Sequence, residues 1–115
     1  MRLVDSPIAR SFLKMELMTH FGTVVKAVVD VRRRVMAVDA ELHADEESFL
    51  LEGGSRQEDL WGINLYPDKN RDEFIDYTSL INIRPAQGNT SMEVASPGLR
   101  ELIRDIVFEL ISYDA

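Results

Sequence analysis

Five polar side chains in the second half of the chain are spaced as a recognition surface would be. They are Asn64 in "LWGINLYP", then Asn82, Arg84, Gln87 and Asn89 in "INIRPAQGN". Asparagine is depleted in strands, so Asn64 and Asn82 inside apolar segments call for a local reason. One reason is chemical: amides, an arginine fork and a Gln–Gly–Asn turn together offer several donors to an anion or a carboxylate. The other is architectural, because amide side chains also cap strand ends and satisfy loop backbone. A recognition role would let Asn82→Ala and Arg84→Ala keep the fold and lose an interaction.

A second group lies in "ELHADEE". His43 and Glu47 stand four apart, and a helix would bring them together with Asp45 and Glu46 alongside. An oxygen-rich set of this kind would suit magnesium, manganese or calcium over structural zinc. No HExxH pattern and no second nearby histidine accompanies it, so the sequence assigns no metal and no cofactor. For acid–base chemistry, His43 would be the base, Asp39 or Glu41 its orienter, and Arg84 with Asn82 the anion stabilisers. No nucleophile elbow, phosphate loop or dinucleotide fingerprint selects a reaction, and catalytic residues stay unassigned.

The elements that must position these groups follow from patterning. "SPIARSFLKMELMTHFG" reads as a first amphipathic helix, with Ser6 as cap, Pro7 at the first helical position, Gly22 at the exit and His20 as a partner for its C-terminal dipole. Its apolar repeat is Ile8, Phe12, Met15, Leu17, Met18 and Phe21. "TVVKAVVDVRRRVMAVDAELH" is valine-rich and alternating, which predicts a hairpin around the arginines. Val25, Ala27, Val29 and Val31 then face Met36, Val38, Ala40 and Leu42 on a dry side, with Lys26, Asp30, Asp39, Glu41 and His43 on the other.

The acids and paired glycines of "ADEESFLLEGG" predict a short helix from Asp45 to Glu52. "DLWGINLYP" and "EFIDYTSLINIRP" predict a second hairpin, with Trp61, Ile63, Leu65, Ile75, Tyr77, Ile81 and Ile83 on the dry side and Leu80 breaking the alternation. Residues 85–95 read as loop, and Ser96 and Pro97 start a last helix with the stripe Leu99, Leu102, Ile103, Ile106 and Leu110. The expected fold over 1–115 is a single α+β domain in two layers: a four-stranded, mainly antiparallel sheet with helices on one face, in the order α-β-β-α-β-β-α. Its other face would be open, and the polar set points there.

Composition narrows the partners. A chain of 115 residues with 45% hydrophobic and 29% charged residues has the balance of one globular domain. It has no cysteine, which removes disulfides and thiolate chemistry and fits a cytoplasmic protein. Asp5, Arg10, Lys14 and Glu16 interrupt the start, excluding a signal peptide or membrane span there and predicting no membrane partner. A net charge of -7 repels nucleic acid, and the three arginines at 32–34 are too few contacts to reverse that.

Together the stretches "ELHADEE", "EDLWGINLYP" and "INIRPAQGN" resemble a small prokaryotic family of single-domain proteins classed as a domain of unknown function. The resemblance runs from about Val24 to the last helix. It implies stand-alone chains of this size and directs interest to His43, Glu46, Glu47, Trp61, Asn64, Asn82, Arg84, Gln87 and Asn89, without lending a mechanism. The functional expectation is a binding or interaction module, for a protein or small-molecule partner, acting through the polar sheet face and the 85–89 loop. The alternatives are an acid–base or metal-assisted hydrolase centred on His43, and a homodimer formed through the open sheet face.

Overall fold

Alternation in the valine-rich stretch builds the centre of the molecule. In the computed structural model, which describes residues 1–17 and 21–112, strands β3 (Val25–Asp30) and β4 (Val35–Val38) form the expected antiparallel hairpin. Asp30 holds its turn: one carboxylate oxygen accepts from the Arg32 and Arg33 amides at 3.0 and 2.9 Å, and the other from the Ser55 hydroxyl at 2.6 Å. This aspartate, expected on the wet side, is fully buried because its oxygens are satisfied.

β5 (Leu60–Leu65) pairs antiparallel with the free edge of β3, in a register that sets Lys26 opposite Asn64 and Val28 opposite Gly62. The sheet has five strands rather than four, because β1 (Arg2–Val4) adds to β4 and the short β6 (Ile75–Asp76) adds to β5, giving the order β1-β4-β3-β5-β6. Every pairing in it is antiparallel, and the α+β class stands.

α3 (Pro97–Leu110) starts as expected, with the Ser96 hydroxyl accepting from the Leu99 amide at 3.2 Å. Its Ile103, Ile106, Val107 and Leu110 pack with Val25, Ala27, Val29, Met36, Val38, Trp61, Ile63 and Leu65 in the main core. Fully burying each large side chain there contributes about 1.5–3 kcal/mol. The first helix begins later than expected, at Arg10. Pro7 is equally compatible with extended chain, and β2 (Ile8–Ala9) instead pairs in parallel with β7 (Ile111–Ser112), the chain leaving α3. α1 (Arg10–Phe12) runs into a π-type turn over Leu13–Leu17, burying Leu13 and Leu17 and leaving Met15 78% exposed. Met18 and His20 lie outside the described residues.

Helices on one face only is corrected. α2 (His43–Glu52), starting two residues before the expected Asp45, lies on the opposite face of the sheet, where Leu50 packs with Val28, Ala37 and Leu60 and Phe49 adds to them. The physical reason is a dry patch of Val28, Ala37, Leu60 and Gly62 within the otherwise polar face. The expected open face is therefore half roofed.

The expected fourth strand also stops early. After Asp76 the chain makes a single bridge at Thr78 and then a 3-10 turn over Leu80–Asn82, opened by the Ser79 hydroxyl accepting from the Ile81 amide at 3.3 Å. Ile83 is consequently exposed and Ile81 joins the α2 side, a shift of phase relative to a continuous strand. This turn lies so close to β5 that a Cβ on Gly62 would sit 2.5 Å from the Ser79 Cβ and 3.1 Å from Ile81 Cγ1. Gly62→Ala should therefore destabilise by about 1–3 kcal/mol through overpacking; an unchanged urea midpoint would show that the turn can retreat freely.

Candidate functional site

Four of the singled-out polar residues assemble one internal scaffold. Beyond the reach of β6, no strand among the described residues lies beside the edge of β5, and two side chains take the strand's place. Asn82, fully buried, accepts from the Gly62 amide at 2.8 Å and donates to the Gly62 carbonyl at 2.9 Å and the Met92 carbonyl at 3.1 Å. Its amide acts as a peptide group inserted edge-on.

One step along the same edge, the Arg84 guanidinium donates to the Leu60 carbonyl, to the Gln57 carbonyl at 2.6 Å and to the Ile81 carbonyl at 3.1 Å. It also lies over the Trp61 ring at 4.6 Å and 3.6 Å from a Glu47 carboxylate oxygen. Gln87 donates to the Glu58 carbonyl at 3.0 Å. Asn89 staples its own loop, donating to the Asn82, Ser91 and Glu93 carbonyls at 2.7, 3.1 and 2.9 Å and accepting from the Ala95 amide at 2.9 Å. The arginine fork is directed at backbone, away from solvent.

The "ELHADEE" group is divided by α2. Glu47 faces Arg84. Glu46 is 0% exposed: one oxygen accepts from the Ala40 amide at 3.1 Å, and the other has no hydrogen-bond partner among the described residues. Burial pushes its carboxyl up to about 9, against the Ala40 amide and Lys26, which favour the charged form. It is a neutral acid at pH 7. His43, the first residue of α2, places Nε2 2.7 Å from the Ile63 carbonyl, so Nε2 carries the proton and Nδ1 is the acceptor. Burial holds its pKa below the ordinary 6.5, the Ile63 carbonyl opposing and Lys26 reinforcing the shift. Among the described residues no three His, Asp or Glu converge to hold a metal ion, and no helix is long and apolar enough to cross a membrane.

His43 and Asn64 meet elsewhere. Between the start of α2 and the 78–81 segment lies a cleft of about 460 Å³. Lys26 and Asn64, opposite one another on β3 and β5, reach it together with His43. Its walls are mostly apolar, with Leu42, Leu80, Ile81 and Met92 lining it. Asn64 is anchored from behind, donating to an Asp76 carboxylate oxygen at 2.9 Å and to the Thr78 carbonyl at 3.0 Å. Three cleft residues, Leu42, Leu80 and Met92, escaped sequence reasoning. The available signal was Leu80 breaking the alternation: it is 71% exposed.

Two outcomes follow from the scaffold. Asn82→Ala leaves the Gly62 N–H and C=O and the Met92 carbonyl without partners, and should lower stability by roughly 2–4 kcal/mol; a variant with wild-type stability by urea unfolding would mean water or a backbone shift replaces the amide. A carboxyl whose folded pKa exceeds its unfolded value supports the fold while protonated. The contribution of Glu46 to stability should thus be full below pH 4.5 and be lost as pH rises toward 9. Glu46→Gln should flatten that decline and add roughly 3 kcal/mol at pH 7, read from unfolding midpoints at several pH values. Parallel profiles for the two proteins would show that Glu46 is already ionised in the fold.

No curated protein and no solved structure matches the chain. Residues 2–110 match the family model described as "Protein of unknown function (DUF5674)", and the chain belongs to that family.

Proposed function

We propose that the protein is a cytoplasmic, non-catalytic module that binds a small ligand in the cleft between α2 and the 78–81 turn. The observation that carries this is a pocket of about 460 Å³ with mostly apolar walls and three convergent polar side chains, Lys26, His43 and Asn64. Concave apolar sites with a few placed polar groups are the usual form of a small-molecule site. The polar sheet face contributes through Lys26 and Asn64. The 85–89 loop contributes as support, since Arg84 and Asn89 fix the backbone around the 80–82 turn.

Acid–base catalysis by His43 is the alternative. It is favoured by a neutral imidazole in the cleft, oriented through the Ile63 carbonyl with Nδ1 left as acceptor. Self-association is the third option, with exposed Leu42, Leu80 and Met92 as the contact. A fragment screen by NMR on the full chain separates them. Binding should shift amides at His43, Asn64, Leu80, Ile81 and Met92, and Leu80→Glu, at a solvent-facing position, should abolish those shifts without unfolding the protein. Fragments chemically converted during the titration would favour the enzyme, concentration-dependent sedimentation the dimer, and hits scattered over other surfaces would reject the cleft.

A further inference from the structure

The charge of the cleft runs against that of the chain. The sequence carries 20 acidic and 13 basic side chains, yet among the described residues no Asp or Glu lines the cleft and Lys26 is the one cation that does. Lys26 faces the neutral amide of Asn64 across the strands, and its ammonium lies 4.9 Å from the Phe21 ring, which carries no formal charge. Among the described residues no carboxylate forms an ion pair with Lys26. Asp76 accepts from Asn64 with one oxygen and from the Thr78 hydroxyl with the other, at 2.9 and 3.2 Å. Glu46 is buried and protonated at neutral pH, and His43 is neutral. A half-buried lysine with no paired carboxylate among the described residues, beside apolar walls, is the complement of an anion with a hydrocarbon body.

We propose, resting on the cleft being a ligand site, that its ligand is a small amphipathic monoanion of the carboxylate class, with its charged end at Lys26 and its hydrocarbon against Leu80, Ile81 and Met92. A single ammonium is a point charge suited to one negative charge. A phosphate dianion would call for an arginine fork or several amides, and the fork of Arg84 is held by the Leu60, Gln57 and Ile81 carbonyls.

The test is an NMR titration of the full chain at pH 7 with hexanoate and with hexanamide, a matched pair that differs in charge. Both should shift the amides of Leu80, Ile81 and Met92, with hexanoate binding about tenfold tighter, as expected for one charge-assisted contact. Lys26→Gln should erase the difference and Lys26→Arg should keep it. Equal affinity of the two probes for the wild-type cleft would overturn the anion assignment while leaving the cleft a binding site. Tighter binding of hexanamide would do the same. No shift at the cleft with either probe would overturn both. The wild-type pair decides the question even if a Lys26 variant fails to fold.

Discussion

The structure depends on an amide doing the work of a strand. At Gly62 the sheet still needs a hydrogen-bonding partner, but the chain that would supply one has left after Asp76, and the Asn82 side chain meets both the N–H and the C=O of that glycine. Asparagine can do this because its amide carries the same donor and acceptor as a peptide group. With the backbone of 79–82 no longer required in the ladder, the segment coils into a 3-10 turn and stands beside β5. Gly62 then has to be glycine, since any Cβ would collide with Ser79. The same departure from strand geometry brings Leu80 and Ile81 opposite the start of α2 and so opens the cleft.

Charge on this face is handled by matching each group to an internal partner. Asp30 takes turn amides, Arg84 takes carbonyls, and Glu46 stays neutral against the Ala40 amide. Buried polar groups persist when they are satisfied this way, and a half-satisfied group such as Glu46 has its pKa moved instead. The result is a framework in which most polar atoms hold backbone in place. Lys26 stands apart from it, half-buried and facing an amide rather than a carboxylate.

Period-two alternation was enough to read the main core, because Val25, Ala27 and Val29 and then Trp61, Ile63 and Leu65 bury one continuous face. Helix α3 was equally legible from Ser96, Pro97 and its stripe. What alternation concealed was the second, smaller core. Val28 and Ala37 occupy the polar-side phase, and with Leu60 and Leu50 they seat α2 where an open face was expected. The strand at Arg2–Val4 is too short to show a period, and the strand expected through Arg84 fails because serine and asparagine side chains compete for the backbone hydrogen bonds. Local competition of that kind has no periodic signature.

The asparagines were conspicuous for a reason that turns out to distinguish scaffold from site. An amide placed in an apolar segment costs free energy unless its hydrogen bonds are made, so a residue type that offends the local pattern marks a place where the backbone demands something special. Asn82 and Asn89 answer such a demand completely, which leaves them nothing to offer a ligand. A binding cleft in so small a domain is marked by the opposite condition: ordinary residues left incomplete, here a lysine with no paired carboxylate among the described residues and a leucine and a methionine without cover. Incompleteness is a property of tertiary placement. It becomes visible when the partners of each side chain are counted, and residue type alone does not reveal it.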